Sequence, residues 1–170
     1  MDQTLPCLGM LEATPDILRA LMSEMSEDDA LWKPAPDRFS VAEALAHLSH
    51  AEAHCYRARL DLITARDEPA IQGYDPQNYL DLYAQADPAD AFDHFEEQRE
   101  TNLEFLRGLP ASAAGRRAMH PKWGVITLGQ MLHEWALHDL GHIRQVAELV
   151  RARKFLPGAG PFAAFYHLNP

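Results

Sequence analysis

Apolar residues recur at helical spacing in four long stretches, each bracketed by capping or breaking residues. Thr14 followed by Pro15 has the form of an N-cap and first-turn proline. Ile17, Leu18, Leu21, Met22 and Met25 then share one stripe, predicting a helix that ends near Ser26. Pro34, Pro36 and Asp37 break the chain. Ser40-Val-Ala-Glu43 then forms a capping box opening a second helix to about Ala65. Residues 66–78 read as loop, with a short extra helix between Pro76 and Ala86. Asp87-Pro88 opens a third helix, with Phe92, Phe95, Leu103 and Leu106 on one stripe and Gly108 and Pro110 at its end. After a loop with Gly115, Pro121 and Gly124, Thr127-Leu-Gly-Gln130 is a second capping box. The stripe Leu128, Met131, Leu132, Trp135, Ile143, Val146, Leu149 and Val150 carries the fourth helix to about Lys154. No segment alternates with period two for more than a few residues. The expectation is an all-α, single-domain four-helix bundle over residues 1–170. Its connection between helices two and three is long enough to cross the bundle, so up-down-up-down order is not required.

Winding helices two and four at about 100° per residue shows which polar side chains fall inside the apolar arcs. On helix four these are His138, Asp139 and His142, while His133, Glu134, Arg144 and Glu148 point away or sit at the far edge. Histidines at i and i+4 lie one turn apart and can reach a single ion. On helix two Glu52 lies inside the stripe and His47 at its edge, which makes His47 the best third ligand; His50 and His54, also i, i+4, form a rival pair further round. Three neutral imidazoles suit zinc, nickel or another divalent first-row metal at a site with an open position. Asp139 and Glu52 are candidate catalytic residues, able to polarise a water. They could equally accept ligand N–H protons or pair with Arg99 or Arg59. Either arginine could also hold a substrate carboxylate. The competing structural reading makes His138 and His142 core hydrogen-bonders.

A chain of 170 residues with 47% hydrophobic positions buries enough core to fold without a structural metal, so a metal site here would be functional. The net charge of −10 and the lack of a basic run argue against nucleic acid and anionic membranes. No apolar stretch approaches membrane-spanning length, and the N-terminal residues lack the basic start of a secretory signal, so the expected location is cytoplasmic. Cys7 and Cys55 have no CxxC partner and read as reduced thiols. Met22, Met25 and Met131 read as core filling. Trp32, Phe39, Phe162, Phe165 and Tyr166 could line a pocket, and the reading preferred is that they cap the core, with the tail from Phe155 packed irregularly across the bundle.

Two stretches carry a family resemblance. One is Trp32-Lys-Pro-Ala-Pro-Asp-Arg-Phe39-Ser40 running through His47-Leu to Glu52; the other is Trp123-Gly124-Val-Ile-Thr127-Leu through His138-Asp139-Leu-Gly-His142-Ile-Arg-Gln145. Together they resemble the DinB/YfiT-like superfamily. The resemblance implies a four-helix bundle, a homodimer, and a divalent metal held by His47, His138 and His142. His50 is an extra candidate for the first ligand. Zinc or nickel is the metal expected first, with manganese or iron as alternatives. The superfamily includes thiol-dependent enzymes and metal-dependent hydrolases. The leading expectation is therefore a thiol S-transferase that takes a low-molecular-weight thiol as co-substrate and acts on a small-molecule electrophile. The alternatives are hydrolysis by a metal-activated water and, in another class, a non-catalytic bundle that binds metal or a small ligand.

Overall fold

The computed structural model describes residues 4–170. Four long helical segments form the body: α1 (Leu8–Met22), α3 (Val41–Ala51) continuing through Glu52–Arg57 into α4 (Ala58–Ala65), α6 (Pro88–Arg107) and α7 (Leu128–Val150). Between them lie the short helices α2 (Glu27–Leu31) and α5 (Leu80–Tyr83) and a two-stranded antiparallel hairpin, β1 (Arg117–His120) with β2 (Gly124–Thr127). Both predicted capping boxes form. The Glu43 N–H donates to Ser40 Oγ at 3.1 Å and the Ser40 N–H to Glu43 Oε2 at 2.7 Å. Thr127 and Gln130 make the same reciprocal pair at 3.1 and 2.9 Å.

The core consists of two apolar clusters separated by one polar layer. At one end Leu11, Cys55, Leu60, Leu103, Leu128 and Trp135 are buried together. At the other are Leu18, Leu45, Leu48, Phe95, Val146 and Leu149. Each long helix contributes buried polar side chains to the layer between the clusters: Thr14, Glu52, Arg99 with Asn102, and Asp139. The order in which each helix meets the clusters gives its direction. α1 and α7 run one way, whereas α3 and α6 run the other. α3 packs on α6 and α1 on α7, so both neighbouring pairs are parallel. A parallel pair needs a connection spanning the length of the bundle, and residues 66–87 supply the long crossover that the sequence predicts between its second and third helices.

Several local expectations are corrected. Helix one starts at Leu8, because Leu8 and Leu11 extend its apolar stripe backwards, and Pro15 sits inside it rather than at its first turn. Lacking an N–H, Pro15 leaves the Leu11 carbonyl four residues back without its helical donor. The Arg99 Nη1 donates there instead, at 2.7 Å. The loop before α7 holds a hairpin of four-residue strands, turned at Gly124 with φ 72. Its β1 is tied to the crossover by the Ile71 N–H to Met119 carbonyl bond at 3.0 Å. The continuous second helix is widened at Glu52–Arg57, where the Ala58 N–H reaches back five residues to Ala53 O. The tail does run irregularly, as short turns, but Phe162, Phe165 and Tyr166 do not cap the core: they are 69, 79 and 52% exposed. Trp32 and Phe39, both half-buried, do pack against the second cluster.

Candidate metal centre

His47 reaches the site from α3 and His138 and His142 from successive turns of α7. Their ligand atoms all lie within 4.8 Å of one another, and among the described residues this is the one group of three or more His, Cys, Asp or Glu side chains so arranged. The Nε2 atoms of His47 and His138 face each other at 3.0 Å. Burial lowers the pKa of all three rings, His47 to about 3 and His138 to about 2, with repulsion among the rings adding to the effect on those two. All three are therefore neutral at pH 7 and offer lone pairs. The His142 Nδ1–H donates to Gln145 Oε1 at 2.9 Å, which leaves its Nε2 free to ligate. His47 Nδ1 lies 3.4 Å from Tyr83 Oη, and Tyr83 is bonded in turn to Tyr74 at 2.8 Å. The buried His138 Nδ1 has no partner. The 3.0 Å contact can serve as one N–H···N hydrogen bond, but three rings whose ligand atoms converge within 4.8 Å share only that bond, and the buried His138 Nδ1 is left over. The three rings fit a divalent first-row ion as ligands.

His50 is not part of this cluster. Its Nδ1 faces Tyr74 Oη at 2.9 Å, and its ring packs at a tilt against His54 and Tyr79 with centroids 4.2 Å away in each case. The rival pair thus packs side by side on the crossover, and no third donor closes around it among the described residues.

Asp139 and Glu52 lie in the polar layer beside the histidines. Arg99, 1% exposed, donates two bonds to Asp139, at 2.7 and 2.9 Å, and one to Glu52 Oε1 at 2.7 Å. The Thr14 hydroxyl sits 2.7 Å from Asp139 Oδ2. Glu52 also accepts from Trp135 Nε1 and Asn102 Nδ2, both at 2.9 Å. Asn102 Nδ2 further reaches the Glu52 carbonyl, at 3.2 Å, where the helix is widened. Burial opposes the charge on Arg99, yet the two carboxylates more than offset this and hold its pKa above the ordinary value. Burial raises the pKa of Glu52 despite Arg99. Neither acid lines the cavity described next.

The histidines open into a cavity of about 980 Å³, at the upper end of the size range of small-molecule sites. One wall is α4 and the widened turn, contributing Cys55, Tyr56 and Arg59; another is α7, contributing Gln130, Met131 and Glu134. The hairpin and crossover close the rest with His120, Trp123 and Tyr74. Tyr56 stacks on Trp135, with rings 4.2 Å apart and 3° from parallel, and turns an edge to His138. Its hydroxyl donates to Glu134 Oε2 at 3.2 Å. Burial raises the pKa of Glu134 and pushes the Cys55 thiol up to about 11. The sequence reading placed Glu134 away from the site; the structure puts it on the cavity wall, one turn before His138. The i, i+4 spacing to His138 was the available signal. Arg59, read as one of two arginines for a substrate carboxylate, lines the cavity, whereas both Nη atoms of Arg99 are engaged by Glu52, Asp139 and the Leu11 carbonyl beneath it.

The chain is similar to known proteins over most of its length. A protein of Oceanobacillus iheyensis named "putative metal-dependent hydrolase" is 22% identical over 147 residues, covering 86% of this chain and 85% of its own length. The solved structure of YfiT from Bacillus subtilis, described as a probable metal-dependent hydrolase with an unusual four-helix bundle topology, superposes with a TM-score of 0.76. It is 25% identical, over 85% of this chain and 84% of that one. Residues 10–146 match the DinB superfamily, and with bundle, crossover and histidine cluster all in place, the chain belongs to that superfamily.

Proposed function

We propose that the protein is a metal-dependent hydrolase of a small molecule, with His47, His138 and His142 as the metal ligands. The observation that carries this reading is the cluster of three neutral imidazoles, their ligand atoms within 4.8 Å, opening into the cavity. A divalent ion held there would supply Lewis-acid activation, bringing the pKa of a water or thiol toward neutrality. Zinc and nickel suit three imidazoles best. Glu134, on the cavity wall beside His138, acts as general base: its Oε2 takes the proton released by the nucleophile, and Tyr56 holds the carboxylate in place. Asp139 and Glu52 act as positioning residues. They fix α3, α6 and α7 around Arg99, and with two acids to one guanidinium they bias the neighbouring site toward a cation.

Thiol transfer is the second reading. It is favoured by the cavity volume, which leaves room for a thiol beside an electrophile. The test begins with elemental analysis of untagged protein, followed by ester and amide panels with and without added thiol. The expected result is near one divalent ion per chain, lost in His47→Ala, His138→Ala and His142→Ala and retained in His50→Ala. Turnover without thiol, abolished by chelator and reduced about 10²-fold or more in Glu134→Gln, supports hydrolysis. Turnover only with thiol, consuming it, supports transfer. No metal in any sample after incubation with zinc or nickel overturns both.

A further inference from the structure

We propose that the Arg59, His120 and Lys122 corner of the cavity is an oxyanion subsite that holds a carboxylate or phosphate of the substrate while the histidine end engages its reactive group. Three features converge there. Arg59 is half-buried on the cavity wall, and its one hydrogen bond is Nη2 to the Gln72 carbonyl at 3.3 Å. It has no carboxylate partner among the described residues, whereas Arg57, two places earlier, pairs with Asp61 at 2.8 Å. Glu134 shares the cavity with Arg59 but is held by Tyr56 and makes no ion pair with the guanidinium. A guanidinium in a cavity with most of its donors unused is a ready bidentate partner for an oxyanion.

His120 adds a fixed donor. Its Nδ1 accepts the Lys122 and Trp123 N–H groups, at 3.1 and 3.3 Å, so a neutral ring carries its proton on Nε2. Lys122 supplies a second positive charge, its Nζ resting 4.6 Å from the Trp123 ring centre. Burial and the charges of Arg59 and Lys122 lower the pKa of His120, in keeping with a local positive potential. The hairpin turn, permitted by Gly124 at φ 72, thus delivers a donor and a cation opposite an arginine of α4. On a chain of net charge −10 such a corner offsets the general repulsion of an anionic substrate where it binds.

This inference rests on the reading of the cavity as the substrate site, and the experiment separates the two. Succinate and inorganic phosphate are titrated calorimetrically at low ionic strength into the full-length chain, zinc-loaded and chelator-treated. In the metal-free chain wild type binds at least one of the two. Arg59→Gln weakens that binding about tenfold or more, and Lys122→Gln by a smaller factor. Arg59→Lys, which keeps the charge and loses the fork, falls between and carries the test if the Gln variant fails to fold by circular dichroism. Preference for succinate assigns the subsite to a carboxylate, and preference for phosphate to a phosphoryl group. Binding of neither anion, or equal binding by Arg59→Gln, overturns the subsite while leaving metal binding intact. His138→Ala, which removes the metal, leaves anion binding by the metal-free chain unchanged.

Discussion

Two polar clusters lie side by side in the middle of this bundle, and they are built by opposite rules. Around Arg99 opposite charges meet: two carboxylates, a hydroxyl, an amide, an indole and a freed carbonyl converge on one another and on the guanidinium at 2.7 to 3.2 Å, with Arg99 Nε and Asn102 Oδ1 left over. Around His47, His138 and His142 the groups are neutral: one contact at 3.0 Å joins two of the rings, and the buried His138 Nδ1 is left over. Both clusters contain residue types associated with catalysis. What separates them is charge and access: the first holds its own cation between two acids away from the cavity, whereas the second lines the cavity with neutral lone pairs in an arrangement that fits a divalent cation.

The sharpest way to break this contrast is to open the closed cluster. Arg99→Met leaves Glu52 and Asp139 buried without a counter-charge and is expected to cost about 3–5 kcal/mol, read as a lower denaturation midpoint. Adding Glu52→Gln and Asp139→Asn to that variant should recover much of the loss. Failure to recover would mean that Arg99 acts through something other than charge.

Acid should separate the clusters next. The histidines have folded pKa values below the ordinary 6.5, so the unfolded chain binds more protons over that interval and stability falls as pH drops from about 6.5 toward about 3. Glu52 is raised and has the opposite sign: its contribution is present at low pH and is lost as pH rises through its folded value. Metal-free protein should therefore lose thermal stability between pH 7 and pH 4, with a shallower slope in His47→Gln/His138→Gln. Equal slopes would place the acid sensitivity elsewhere.

The smallest effects concern what steadies the open cluster from outside. Gln145→Leu removes the acceptor for the His142 Nδ1–H and should weaken zinc affinity about tenfold or more in a chelator competition, with little change in folding. Tyr83→Phe removes the 3.4 Å contact to His47, together with the Tyr74 bond, which involves no ligand, and should cost less zinc affinity.

Much of the bundle was legible because its signals are local. Ser40 with Glu43 and Thr127 with Gln130 cap helices wherever they occur, and the turn-spaced His138 and His142 announce a shared face. What escaped reading depends on partners distant in sequence. Pro15 imitates a first-turn proline until Arg99, 84 positions later, is seen using the carbonyl it frees. The strands of the hairpin, four residues each, are too short for a period-two pattern to register. The cavity wall was hidden for the same reason: His120 and Lys122 belong to that hairpin. Tyr56 lies within, and Arg59 just beyond, a turn whose pitch no uniform wheel reproduces, so of the two only Arg59 stood out, as a lone charge near an apolar stripe.

That widened turn gives the second helix two angular frames. Upstream of Glu52, the residues that matter are set by one phase and aim His47 at the ligands; downstream, Tyr56 and Arg59 obey another and aim at the cavity. The widened turn takes up one residue more than an even winding needs, so a single-residue deletion within 53–57 closes it and leaves α4 near its present face. The same deletion elsewhere in α3 or α4 swings everything beyond it by about 100°, roughly a quarter of a revolution. Where the chain is shortened, rather than by how much, decides which wall of the cavity moves.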